Sequence, residues 1–353
     1  MQKLIRRWKY LLVFALLMAW VFAALNRNLS DYGVFTNSAR AWLRGETHLY
    51  DGKVAFYYAP WTMAVLAPFS LLPERLGQFL FNTLSLAALV WATWTFIRPA
   101  PWWALAIALI NSYTAWLIFT GQWDAMVLAS LALAWLSIQH GPKNRWSPWL
   151  LGIALVGLST KPTNVVLPAL LMLYAVLRWP KKDLARAMAP LALVFAASLP
   201  IAGWDWPVRY VWFLRTYPNP STYKLLTPWG SAEYSISLWS NITPVLQVLL
   251  LALLVGAVIW QVKVIRKGIN RENVLALLSI NIAGSPYILV YHMIYLAPVT
   301  GWILAQNLRL GFALALVAIL DLVLLFLGQG ILLYPLAAFL GMMLCLRSAS
   351  HSV

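Results

Sequence analysis

Apolar stretches long enough to cross a bilayer recur along almost the whole chain. A helical crossing takes roughly 20 predominantly apolar residues, with about 17–25 the usual range. The apolar runs between helix-breaking residues predict about twelve spans, near residues 10–25, 75–97, 102–120, 125–139, 147–160, 163–177, 185–202, 242–262, 273–288, 289–306, 310–327 and 331–346. We therefore expect an all-α, polytopic integral membrane protein that forms a single domain over residues 1–353.

One apolar stretch, Ala59 to Leu72, departs from this pattern. It contains Pro60 and Pro68 and ends at Pro73. A run of about 14 residues is shorter than a usual crossing, and a re-entrant or interfacial segment fits it better. This assignment matters because one additional crossing would reverse the predicted orientation of every later span.

Composition and charge agree with the hydropathy pattern. The chain is 62% hydrophobic and 10% charged, with a mean hydropathy of +0.74, which excludes an ordinary water-soluble domain. The 26 Lys and Arg residues outnumber the 10 Asp and Glu residues. With twelve spans, most basic residues lie in short connectors on one side, so both termini are predicted to be cytoplasmic. The basic excess therefore reflects topology and anionic lipids, and no nucleic-acid partner is expected.

The two long connections, residues 26–74 and 203–241, are both predicted outside the cytoplasm. Near the start of the first, Asp31 opens an interfacial helix whose apolar positions recur at helical spacing. Those positions are Tyr32, Phe35, Ala39, Trp42 and Leu43. Asp31 has two interpretations: a helix cap, or a carboxylate that takes a proton from an acceptor hydroxyl. Residues 10–25 precede this loop and resemble a retained signal anchor.

Several polar residues occur at the predicted outer turns between spans. Lys161 interrupts an apolar stretch, so it either reaches the membrane surface or faces a partner anion. His292 could donate to a phosphate or satisfy a carbonyl within the bundle. The remaining candidates are Gln122, Asp124 and Tyr287, and together these turns predict one cleft at the outer leaflet. Asp321, inside a span, is interpreted as an interhelical hydrogen-bond partner.

The sequence contains no pattern typical of a cofactor or metal site. There is no phosphate-binding glycine loop and no Ser-His-Asp arrangement, and four His with one Cys make a transition-metal site improbable. No cofactor is therefore expected.

A series of short motifs resembles glycosyltransferase family 87, a branch of the polytopic GT-C transferases. The motifs occur in the order Asp31-Tyr32-Gly33-Val34-Phe35, Ala39-Arg40-Ala41, Leu49-Tyr50-Asp51, Tyr57-Tyr58-Ala59-Pro60, Leu66-Ala67-Pro68-Phe69, Gly121-Gln122, Lys161-Pro162 and Ser285-Pro286. The similarity extends over about residues 28–298. Each motif alone is weak, and their order and spacing carry the resemblance.

The resemblance implies a transferase in the bacterial plasma membrane with its active site on the outer face. Such an enzyme moves a hexose, often mannose, from a polyprenyl-phosphate donor to a lipid or glycan acceptor, with inversion. It implies Asp31 as catalytic base, and Lys161, His292 and Arg40 as donor-phosphate contacts. Tyr32, Tyr58, Gln122, Asp124 and Tyr287 would line the substrate cleft.

The alternative is a lipid or saccharide transporter or flippase, since about twelve helices with cytoplasmic termini is also a common carrier plan. Carriers usually show similarity between their halves and ionisable groups near the midplane of the membrane. Here no repeat between the halves is evident, and the polar candidates cluster at one leaflet. These two features favour the transferase.

Overall fold

In a computed structural model of the chain, residues 30–45, 49–50, 56, 58–216, 243–265, 269–285, 290–326 and 333–350 are described, and all their regular structure is helical. The α-helices are α1 (Ser30–Leu43), α2 (Thr62–Ser70), α3 (Glu74–Ile97), α4 (Trp102–Leu109), α5 (Ser112–Thr120), α6 (Asp124–His140), α7 (Ser147–Leu158), α8 (Val166–Val176), α9 (Lys181–Ala202), α10 (Trp206–Thr216), α11 (Thr243–Ile265), α12 (Arg271–Gly284), α13 (Ala297–Gln306), α14 (Leu308–Phe326) and α15 (Tyr334–Ser350). Two 3₁₀ helices, Pro162–Val165 and Val290–Leu296, precede α8 and α13. The predicted span 10–25 lies outside the described residues.

The helices have the apolar character of a membrane protein. Among the described residues, α3 and α9 are long and apolar enough to cross a bilayer, and the bent pair α4 and α5 adds a third candidate. Other apolar helices, such as α7, are shorter than a usual crossing. The predicted number of about twelve spans is therefore not confirmed.

Large apolar side chains cover the outside of the bundle. Leu71, Leu193 and Leu316 are 74%, 68% and 66% exposed. Water-soluble proteins rarely expose apolar patches of this extent, whereas lipid tails surround them at no cost. This exterior indicates a membrane protein.

The predicted span 102–120 is not one continuous helix in the structure. It divides into α4 and α5, which are bent by 60° relative to each other. The side chain of Asn111 accepts a hydrogen bond from the backbone N–H of Thr114 at 2.9 Å and so caps α5. Because asparagine can satisfy the first N–H groups of a new helix, it allows the chain to break and restart here.

Two other predicted spans begin irregularly. Residues 163–177 open in the 3₁₀ turn Pro162–Val165, and residues 289–306 open in the 3₁₀ turn Val290–Leu296. Both turns pack against α12. Asn281 of α12 donates to the Thr163 carbonyl at 3.3 Å and accepts from the Leu167 N–H at 3.0 Å. A buried amide thus satisfies backbone groups that a regular helix would have paired internally.

The first helix pair matches the pattern expected from the sequence. Tyr32, Phe35 and Ala39 of α1 are buried, as their spacing predicts, although Leu43 is exposed. Helix α2 has nine residues and a length of about 13 Å, too short to cross a bilayer by itself, as expected for residues 59–72.

Asp321 joins the last two helices, as predicted for an interhelical partner. It is fully buried in α14, and its carboxylate accepts from the backbone N–H groups of Leu333 and Tyr334 at 2.8 and 2.7 Å. Tyr334 is the first residue of α15, so Asp321 caps this helix from a neighbouring one. The contact is structural.

Candidate functional site

Eight polar side chains from distant parts of the chain meet in one network, which we call the polar cluster. Its members are Asp31, Tyr58, Gln122, Asp124, Lys161, Asn164, His292 and Tyr295. Asp31 lies in the first turn of α1, and Asp124 in the first turn of α6. Most of the others lie in the turns and 3₁₀ segments between helices. The irregular backbone is therefore what brings these side chains together.

Asp124 is the buried centre of the polar cluster. Its side chain has no exposed surface, and Lys161 Nζ lies 2.9 Å from Oδ2. Its other oxygen, Oδ1, accepts from Tyr295 OH at 3.0 Å and from Asn164 Nδ2 at 3.3 Å, and His292 Nε2 lies 3.7 Å away. A buried carboxylate requires this many partners because its desolvation is costly.

Lys161 is held between two aromatic rings. Its Nζ lies 5.4 Å from the centre of the Tyr58 ring and 5.1 Å from that of Tyr291, distances typical of cation–π contacts. Its side chain keeps 12% of its surface exposed. The ammonium group is therefore fixed in position, in a side chain that is not completely buried.

A hydrogen-bonded path connects Lys161 to Asp31. Lys161 Nζ donates to Tyr58 OH at 3.5 Å, and Tyr58 OH donates to Gln122 Oε1 at 3.1 Å. Gln122 Nε2 then donates to Asp31 Oδ2. The backbone N–H of Ala59 donates to the Thr160 carbonyl at 3.3 Å, which holds the segments carrying Tyr58 and Lys161 side by side.

Burial raises the pKa of Asp31 above its ordinary value of 3.8. The hydrogen bond from Gln122 and the charge of Lys161 oppose this effect, while the charge of Asp124 adds to it. A partly desolvated carboxylate is a stronger base than one in water. Asp31 is thus the group in the polar cluster best suited to accept a proton.

Five of the residues proposed from the sequence, Tyr58, Gln122, Asp124, Lys161 and His292, meet Asp31 in the polar cluster. His292 is completely buried and contacts Asp124, so in this arrangement it presents no surface to a phosphate.

Two of the other three candidates, Tyr32 and Arg40, are not members of the polar cluster. Tyr32 is 1% exposed and packs against Phe81, because the apolar stripe of α1 faces the core, so it lies apart from the polar cluster. Arg40 lies about 13 Å along α1 from Asp31 and donates from Nε to the Ser70 carbonyl at 2.9 Å. Tyr287 lies outside the described residues.

Two members of the polar cluster, Asn164 and Tyr295, were missed in the sequence. Each follows a candidate by three residues, Asn164 after Lys161 and Tyr295 after His292. In a 3₁₀ turn, residues three apart lie on the same side. This three-residue spacing is visible in the sequence, but it indicates a shared side only if these segments are known to form 3₁₀ turns instead of α-helices.

An apolar groove opens beside the polar cluster. It has a volume of about 440 Å³ and is lined by α8, α11 and α12, including Leu167, Leu254 and Val258. Its polar end contains Thr163, Asn281 and Ser285, and Thr163 is the neighbour of Asn164 in the chain. Within the described residues, no group of three His, Cys, Asp or Glu side chains could hold a metal ion.

Comparison with known families decides the class of the protein. The model of glycosyltransferase family 87 matches residues 56–328, most of the chain. The chain belongs to glycosyltransferase family 87. The matched range includes every member of the polar cluster except Asp31, which precedes it. Searches of curated proteins and of solved structures returned no match.

Membership of family 87 makes the protein a glycosyltransferase, an enzyme that uses a sugar donor and an acceptor. With its apolar helices, this describes a membrane-embedded enzyme. A transporter without transferase chemistry is not favoured.

Proposed function

We propose that this protein transfers a hexose, mannose in the first instance, from a polyprenyl-phosphate donor to a hydroxyl group of a lipid or glycan. The reaction takes place on the outer face of the bacterial plasma membrane. The observation that carries the proposal is the pairing of a partly buried carboxylate, Asp31, with a fixed ammonium group, Lys161, across one hydrogen-bonded path. A base and a cation are the two groups that this transfer needs.

The chemistry requires no group beyond those in the polar cluster and the substrates. Asp31 accepts the proton of the acceptor hydroxyl, whose oxygen forms a bond to the anomeric carbon of the donor. The bond between that carbon and the phosphate oxygen breaks, and the phosphate leaves with the electron pair. Because the oxygen attacks opposite the leaving group, the anomeric configuration inverts. Lys161 stabilises the negative charge that develops on the phosphate.

The apolar groove supports a lipid-linked donor. A polyprenyl chain needs an apolar path that ends near the cation binding its phosphate. The groove satisfies this condition because its Thr163 end lies two residues from Lys161 in the chain.

The proposal is tested with purified protein, polyprenyl-phosphate mannose or glucose, and candidate acceptors. Asp31→Asn preserves the size of the side chain but removes its basicity. We expect it to lower the transfer rate by roughly 100-fold or more, the usual contribution of a general base. The matched control is Glu74→Gln, which neutralises another carboxylate in the first turn of a helix, exposed and outside the polar cluster.

Transfer by Asp31→Asn at the rate of the control would exclude Asp31 as the base. Movement of the donor across empty liposomes by the wild type, without formation of a glycosidic product, would contradict the transferase proposal and favour a carrier.

A further inference from the structure

The hydrogen bonds between Lys161 and Asp31 have one allowed direction. A lysine ammonium group can only donate, so the bond from Lys161 Nζ to Tyr58 OH leaves the Tyr58 proton available for another acceptor. That acceptor is Gln122 Oε1, at 3.1 Å. With its oxygen accepting from Tyr58, the amide of Gln122 must turn its nitrogen toward Asp31.

The opposite orientation of the Gln122 amide is unfavourable. It would place Oε1 against a carboxylate oxygen, so that two acceptors would face each other. Gln122 is 2% exposed and Tyr58 is 4% exposed, so bulk water has little access to the two side chains. An unsatisfied buried polar contact is expensive, which makes the observed direction strongly preferred.

The path also favours the ionised form of Asp31. Its last donor is the N–H of Gln122, which stabilises a carboxylate oxygen. The charged groups that face Asp31 among the described residues are Lys161, which favours the carboxylate, and Asp124, which opposes it. The charges of Arg40 and Glu74 instead affect the pKa of the neighbouring Tyr32 hydroxyl.

We propose that Gln122 and Tyr58 are positioning residues. Their hydrogen bonds connect Lys161 to Asp31 and keep the base ionised and correctly oriented for the acceptor. Neither residue needs to touch the reacting atoms. The proposal rests on the proposed function, since it assumes that Asp31 accepts the proton. It predicts that altering either residue changes the pH dependence of the reaction.

The most direct variant is Tyr58→Phe, which keeps the aromatic ring beside Lys161 and removes the central hydroxyl of the path. The Gln122 amide then loses its orienting partner, and its bond to Asp31 weakens. We expect kcat to fall about tenfold, the scale of one lost hydrogen bond to an ionised site, with little change in KM for the donor. The acid limb of the profile of kcat against pH should move to higher pH, because Asp31 is protonated more easily.

Gln122→Glu is a second variant of nearly the same size. It places a carboxyl group against Asp31, and two adjacent carboxyl groups share a proton because both cannot ionise readily. The acid limb should therefore move further upward than in Tyr58→Phe. This variant retains a test of the proposal if Tyr58→Phe does not fold.

Tyr113→Phe is the matched control. It removes a buried tyrosine hydroxyl that donates to a carboxylate, that of Asp321 at 3.4 Å, in another part of the protein. We expect it to lower the melting temperature without moving the acid limb.

The outcomes separate this proposal from the proposed function. If Asp31→Asn is inactive but the folded Tyr58→Phe and Gln122→Glu variants keep the acid limb of the wild type, the positioning proposal alone is overturned. If Asp31→Asn keeps its activity, or the wild type transfers no sugar, the proposed function fails and the positioning proposal fails with it.

Discussion

At the scale of the residue, the buried pair of Asp124 and Lys161 is the feature on which most of the polar cluster depends. Asp124 has no exposed surface, and Lys161 contacts both Asp124 and Tyr58. Each charge is tolerated inside the protein only because the other is present. The pair therefore contributes to stability and to the site at once.

Replacing Lys161 with methionine should destabilise the protein by about 3 kcal/mol, since an uncompensated buried carboxylate remains. The double variant Lys161→Met, Asp124→Asn should recover much of this loss, because no net charge is then buried. The measurement is thermal or denaturant unfolding of the purified protein in detergent, arranged as a double-mutant cycle. Strictly additive effects of the two substitutions would show that the pair is not coupled.

Which residues carry the site could be predicted in part, for identifiable reasons. A lysine in an apolar stretch and a carboxylate at a loop helix stand out by their chemistry, and Lys161 and Asp31 do meet through two other residues. Tyr32 was placed in the cleft although its helical spacing already assigned it to the buried face of α1. The contact of Arg40 with the Ser70 carbonyl could not be predicted, because a positive charge by itself does not reveal which carbonyl it will contact.

At the scale of the element, α2 and the Tyr32 side chain of α1 approach α3 closely at one residue. Gly77 of α3 lies directly against the side chain of Tyr32 and the carbonyl of Phe69. A Cβ atom at this position would lie 2.5 Å from the Phe69 oxygen, closer than real contacts allow. Glycine is therefore required where these three helices meet.

Gly77→Ala should displace α1 and α2 from α3 and lower both stability and transfer rate, because Asp31 moves with α1. The control is Gly33→Ala within α1 itself, where an added Cβ meets no atom within 4 Å. Alanine is favoured over glycine inside a helix by up to about 1 kcal/mol, so this variant should be as stable as the wild type or more so. Melting temperatures and initial rates of both variants provide the comparison, and equal behaviour of the two would exclude the packing argument.

The elements that could not be predicted are those in which a side-chain hydrogen bond interrupts the regular helix. The run 102–120 is apolar throughout, and only the cap formed by Asn111 reveals the bend. The 3₁₀ turn at Pro162 follows from proline chemistry, yet its stability depends on Asn281, 118 residues away from Thr163. Hydropathy reports that a segment is apolar, but it does not report where a distant amide replaces a helical hydrogen bond.

At the scale of the whole molecule, the predicted orientation places the first loop outside and the connector between α6 and α7 in the cytoplasm. Arg44 and Lys143 are exposed positions in these two segments. With the buried native Cys345 replaced by alanine, Arg44→Cys should react with a membrane-impermeant maleimide in intact cells. Lys143→Cys should react only after permeabilisation, and labelling of both from the same side would overturn the orientation.

The separation of the polar cluster along the chain has a consequence for biosynthesis. Lys161 follows Asp124 by 37 residues, whereas Tyr295 follows it by 171. At about 5–20 residues per second, Tyr295 is made roughly 10–30 seconds after Asp124. During that interval Lys161 is already available to neutralise the buried carboxylate, while Tyr295 and His292 have not yet been synthesised. We therefore expect the pair to protect the growing chain while it is inserted, so that the yield of intact protein depends on it before any sugar is transferred.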